Sequence, residues 1–154
     1  GFIKLIGTLK MDDSFIPLII PAIAAPIVFF YVLQYMESVL PYSIVEAARV
    51  DGCNEFITFN TIVIPMIKPA LAVQAIFSFV TAWNNYFLPA LVISAKNKKT
   101  IPILIAQLRS ADFMKFDLAQ VYIMVCVAII PLLAIYLVLS RYIIGGVTAG
   151  GVKE

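Results

Sequence analysis

Three stretches of the chain carry no charged side chain: residues 14–36, 69–95 and 118–140. Each is long enough to cross a bilayer, since a spanning helix needs about 20 apolar residues and a charge at its centre costs roughly 2.5–3.5 kcal/mol. Polar sequence separates them, at residues 37–68 and 96–117. The pattern predicts an all-α integral membrane chain, one domain over 1–154, with three transmembrane helices and a helical loop at 37–68. Pro17, Pro21 and Pro26 crowd the first span. They predict an irregular start and a regular helix through residues 29–33, because freed carbonyls in lipid need other partners. Pro131 predicts a kink in the third.

The loop has its own grammar. Ser43 and Glu46 fit a capping box, hydroxyl at the N-cap and carboxylate three residues on. Pro41 suits the entry to a helix. Glu46, Ala47, Ala48 and Arg49 are good helix formers, and Gly52 stands where a left-handed residue would end the helix. Asn54 is placed to cap a second helix, which Pro65 is expected to end or kink. An ordinary connecting loop would read the same way. So would a compact element offered to a partner.

Within the second span Gln74, Ser78, Thr81 and Asn85 recur at helical spacing on one face. Polar groups in hydrocarbon need partners, so this face looks into a bundle or along a wet path. Asn85, Asn84 and Trp83 are the candidates for solute contact. Interhelical bonding, and for Trp83 simple packing, is the competing reading.

Composition narrows the chemistry. The chain has 154 residues, 62% hydrophobic and 13% charged, with a net charge of +2; soluble domains carry about 45–50% apolar and about 25% charged residues. The small charge argues against nucleic-acid binding. Histidine is absent, which removes the usual general base and the commonest metal ligand. Cys53 and Cys126 are far apart and predict neither a disulfide framework nor a zinc site. No phosphate-cradling GxxxxGK[ST] sequence is present. No acid/base pair faces the membrane interior, so neither an enzyme nor a cofactor is expected.

Glu46-Ala47-Ala48 followed by Asp51-Gly52, then Ile62-x-x-Pro65-x-x-x-Pro69, resembles the "EAA" loop of ABC-transporter permease subunits, especially the maltose-type sugar importers. Residues 79–89, Phe-Val-Thr-Ala-Trp-Asn-Asn-Tyr-Phe-Leu-Pro, resemble that family's fifth membrane helix. Arg141-Tyr142, Gly145 or Gly146, and Thr148 to Lys153 resemble its C-terminal signature. The resemblance implies a permease subunit in a bacterial-type cytoplasmic membrane. There Glu46, Ala47, Ala48, Asp51 and Gly52 form a coupling helix docked on a dimer of ATP-binding subunits. It also implies a second permease subunit, an extracytoplasmic solute-binding protein and a sugar substrate. The chain opens mid-pattern, at a point well inside such proteins, so the N-terminal helices are expected upstream.

Two features bear on this implication. Three spans put the loop and the tail on one side, with Arg49, Lys68, Arg141 and Lys153; the other side carries Lys4, Lys10, Lys96, Lys98, Lys99, Arg109 and Lys115. The positive-inside rule thus places the loop outside, and the resemblance places it in the cytoplasm. A polytopic scaffold whose loop binds another protein is the alternative. Gly146 and Gly150 lie past the span and predict a glycine-rich tail turn.

Overall fold

The computed structural model describes residues 1–110 and 117–150, with residues 143–150 described as helical backbone only. Every regular element among them is helical. Three helical stretches are long and apolar enough to cross a membrane: Ile16–Val39, Glu55–Trp83 and Leu118–Tyr142.

A short helix α1 (Phe2–Thr8) opens the chain. The first span is two helices, α2 (Ile16–Ile23) and α3 (Pro26–Val39). Between them Ala24 leaves the helical region at φ −97°, ψ 59°, two residues ahead of Pro26. Pro17 sits in the first turn of α2, where its missing N–H has no consequence.

The loop contributes α4 (Tyr42–Val50) and α5 (Glu55–Thr58). A π-helical turn, Phe59–Val63, then leads without interruption into α6 (Ile64–Trp83). Pro65 therefore does not end the helix. It lacks an N–H and its ring crowds the carbonyl four residues back; the wider turn ahead of it relaxes that crowding. The 20 residues of α6 rise about 30 Å, one hydrocarbon thickness. The helix starts upstream of the charge-free run 69–95 and stops before its end. Absence of charge marks what lipid tolerates, whereas caps and breaks mark where a helix stops. Here Lys68 lies within α6, and Asn84-Asn85 break the helix after Trp83.

After that break come α7 (Phe87–Val92), a 3₁₀ turn at Lys96–Lys98 and α8 (Ile101–Arg109). The last helix, α9, runs Leu118–Gly150 with Pro131 inside it. The tail turn expected at Gly146–Gly150 is not formed: the backbone there is still helical. A continued helix satisfies its own carbonyls, which matters at a membrane boundary. Residues 151–153 of the C-terminal signature lie outside the described residues, as do Asp112 and Lys115.

The chain forms two compact units, Gly1–Ala25 with Phe79–Ala134, and Pro26–Ser78 with Ile135–Glu154. In the first, α2 packs against α7. Asp13 fastens this unit in a way the sequence does not announce. Its Oδ1 accepts N–H bonds from Ser94 (2.9 Å) and Ala95 (2.8 Å). Its Oδ2 pairs with Lys98 Nζ at 3.1 Å. Its own N–H donates to the Val92 carbonyl at 3.0 Å. The Ala95 N–H, with Lys98 and the Ser94 N–H, holds the Asp13 carboxyl below the usual carboxylate range, against a smaller opposing effect of burial.

A carboxyl depressed by folding stabilises the fold above its unfolded pKa, and that contribution disappears as pH falls through the folded value. The clamp is thus expected to be closed at neutral pH and to open only at a pH more acidic than the ordinary carboxylate range. Amide exchange of Ser94 and Ala95, corrected for intrinsic rates, tests this. Asp13→Ala should speed both amides roughly tenfold at pH 7, and unchanged protection would remove the clamp.

Candidate functional site

The loop between the first two spans is the most completely specified surface of the chain. Helix α4 begins at Tyr42, with Pro41 at its N-cap (φ −63°, ψ 131°) and no side-chain cap bond. The capping box expected at Ser43 and Glu46 is therefore not formed. Pro41 already has the φ a helix entry needs, so the helix starts ahead of Ser43 and leaves Glu46 free on the surface.

The C-terminal end follows the expected chemistry. Gly52 has φ +81°. Its N–H donates to the Arg49 carbonyl at 3.1 Å, and the Cys53 N–H donates to the Ala48 carbonyl at 3.0 Å. These two bonds are the Schellman pair, which closes a helix through one left-handed residue. Asn54 then caps α5, its Oδ1 accepting the Ile57 N–H at 2.8 Å. Across the turn Arg49 Nη2 meets Glu55 Oε1 at 2.8 Å. Glu55 first, with the Tyr42 hydroxyl, holds the Arg49 guanidinium above its ordinary value. Both partners are exposed, so the pair sets the angle between α4 and α5 more than it adds stability.

This geometry sorts the five predicted loop residues. Glu46, Ala47, Asp51 and Gly52 face outward. Ala48 is 5% exposed and packs inward, about 100° around the helix from Ala47. Two large apolar side chains join the outward set. Val50 is 87% exposed and Phe56 77% exposed. Reasoning from polar motifs missed both; the signal was an aromatic and a branched residue inside the chain's most polar stretch. Thr58, at the foot of the loop, is buried, with a hydroxyl that has no partner among the described residues.

The second candidate set is only partly assembled. Gln74, Ser78 and Thr81 lie on α6, Gln74 half-buried and the other two exposed. Asn85 does not share their face, because α6 ends at Trp83. Instead Asn85 Oδ1 lies 3.4 Å from the Leu88 N–H, at the start of α7.

Trp83 makes two packing contacts. Its ring stacks on Phe79, centroids 5.5 Å apart and planes 15° apart. Its Nε1–H donates to the Ala128 carbonyl at 3.0 Å. Trp83 and Asn84 nevertheless line a cavity of about 290 Å³, together with Tyr86, Arg109 and apolar side chains of α8. Aromatic faces, an amide and a guanidinium around an apolar floor suit a polyhydroxylated solute. Among the described residues no cluster of acidic or thiol side chains is arranged to hold a metal ion.

Three membrane-length helices, the first two joined by a closed and capped helical loop that carries outward apolar and acidic residues, define a multi-pass membrane component. Residues 3–148 match the family described as the binding-protein-dependent transport system inner membrane component, and the chain belongs to that family. It is 35% identical over 153 residues to the arabinooligosaccharides transport system permease protein AraQ of Bacillus subtilis, covering 97% of this chain and 52% of the relative. The protein of the same description from Halalkalibacterium halodurans is 34% identical over 150 residues, covering 97% and 53%. The chain thus spans about half the length of the curated relatives it matches.

Proposed function

We propose that this chain is the C-terminal part of the permease subunit of an ATP-binding-cassette importer for a sugar or oligosaccharide. Its covalent chemistry is none. It changes the access of a solute path in response to a partner's ATP cycle. The observation that carries this reading is the loop: a Schellman-closed helix with Glu46, Ala47, Asp51 and Gly52 outward, between two spans, in a chain of this family. Docked on an ATP-binding subunit dimer, that loop moves as one piece, because two caps and the Arg49–Glu55 pair fix its two helices. Since α5 runs on into α6, its displacement tilts the helix behind it. Such a motion is a rigid-body switch between two arrangements.

A second permease subunit and an extracytoplasmic solute-binding protein complete the assembly. Oligosaccharide specificity is supported by the relatives' descriptions and by the cavity beside Trp83, Asn84, Tyr86 and Arg109. Gln74, Ser78 and Thr81 supply polar groups to the solute path from α6.

The sidedness of the loop is the test, because the basic-residue count points the other way. Cys53 is partly exposed on the loop, and Cys126 lies on the outer surface of the third span, where lipid covers it. In membranes holding the full-length subunit, a membrane-impermeant thiol reagent should modify Cys53 from the cytoplasmic face only, and a Cys53→Ser variant should not react. Addition of the ATP-binding subunit should protect it. Modification from the outer face would remove the coupling role and favour a scaffold whose loop binds an external partner.

A further inference from the structure

We propose that the groove between the first half of α6 and the last turns of the third span is a binding site for an anionic phospholipid. The inference rests on these helices crossing a membrane, and on neither the solute nor the ATP-binding partner.

The groove has a volume of about 280 Å³ and is lined by Lys68, Leu71, Ala72, Ala75, Leu139 and Tyr142. Ala72 and Ala75 leave space between the helices, and Leu71 and Leu139 make its lining apolar. That is a channel for an acyl chain. Its polar end is cationic. Lys68 is exposed in the second turn of α6, and a lysine there carries its ammonium toward the headgroups while its stem lies along apolar surface. Arg141 follows the third charge-free run. Its guanidinium stands 4.8 Å from the centre of the Tyr142 ring, and its Nη2 donates to the Tyr142 hydroxyl at 2.9 Å. Tyr142, which lines the groove, thus also holds the guanidinium of its neighbour Arg141.

Among the described residues no carboxylate lines the groove, and neither Lys68 nor Arg141 takes part in an ion pair. Two cations, each at the edge of a charge-free run, beside an apolar groove between membrane helices match a lipid phosphate and its chain. A protein helix seated there would have to bring its own acids for Lys68 and Arg141. A zwitterionic lipid would bring an ammonium that repels them.

The full-length subunit, in its assembled complex, is reconstituted with photoactivatable phosphatidylglycerol or with phosphatidylcholine of the same chains, and crosslinks are mapped by peptide mass spectrometry. Phosphatidylglycerol should label the segments 68–75 and 139–142 in clear preference to phosphatidylcholine. Each cation contributes about fivefold, so Lys68→Gln with Arg141→Gln should lower that preference roughly 25-fold. Lys68→Arg with Arg141→Lys should keep it, which separates charge from folding. Equal labelling by the two lipids would reduce the groove to ordinary annular contact and overturn the proposal. Absence of labelling by either would show that protein covers it and would also overturn it. Loss of the phosphatidylglycerol signal on addition of inorganic phosphate, at matched ionic strength, would reassign the cations to free phosphate.

Discussion

Glu46→Lys in the full-length subunit is expected to abolish uptake while leaving membrane insertion and complex-independent folding intact. The side chain is exposed and forms no recorded bond within the described chain, so reversing its charge leaves the loop's own caps untouched. The proposed docking sets Glu46 against a basic group of the ATP-binding subunit, and there the same change opposes like charges, which costs several kcal/mol. That corresponds to a loss of more than hundredfold in productive docking. ATP hydrolysis by the partner should continue at its basal rate without responding to the binding protein. Normal uptake by this variant would end the coupling role of the loop.

Gly52 supplies the internal control for that experiment. It sits at φ +81° with nothing within 4 Å of where a Cβ would stand, so conformation and not space is the constraint. A branched side chain in the left-handed region costs about 1–2 kcal/mol, a factor of roughly 5–30 in the population of the closed loop. Asparagine visits this region readily. Gly52→Val should therefore lower uptake about tenfold and Gly52→Asn should leave most of it. Equal loss in both variants would point to a clash with the partner instead.

Trp83 carries the second large effect. Trp83→Ala removes both the stack on Phe79 and the N–H bond to the Ala128 carbonyl. An aromatic pair is worth about 0.5–1.5 kcal/mol, and a hydrogen bond between membrane helices about 0.6 kcal/mol on average, up to about 1.7. Trp83→Phe keeps the ring and loses only the bond. The expected order of thermal stability in the purified complex is wild type, then Phe, then Ala, with the Michaelis constant for the sugar little changed in the Phe variant. If Trp83 instead binds solute through its ring edge, both variants should raise that constant severalfold with unchanged stability. The packing role assigned above would then be withdrawn.

The loop was unusually legible from the residues. Gly52 and Asn54 act through bonds to backbone only a few residues away, so their identity and spacing carry the outcome. The same locality explains the failure at Ser43: two local devices, proline and capping box, competed for one helix start, and spacing alone does not rank them. Asn85 illustrates a different limit. Its helical spacing from Gln74 held only while the helix was assumed to continue, and α6 stops at Trp83.

By itself the sequence determined the class and the frame: charge-free runs that only lipid accommodates, and a polar loop closed by a glycine and an asparagine. Tertiary structure decided what distant residues do to one another. Asp13 reaches Ser94, Ala95 and Lys98; Trp83 reaches Ala128; Lys68 and Tyr142 share one groove. These pairings depend on how helices lie side by side, and no periodicity within a single helix encodes which residue of another will face it. Hydrophobic patterning fixes which segments enter the membrane, because transfer depends on each segment's own composition. Contacts between segments depend on shape and on small polar differences within that apolar set, and those are settled only when the chain has folded.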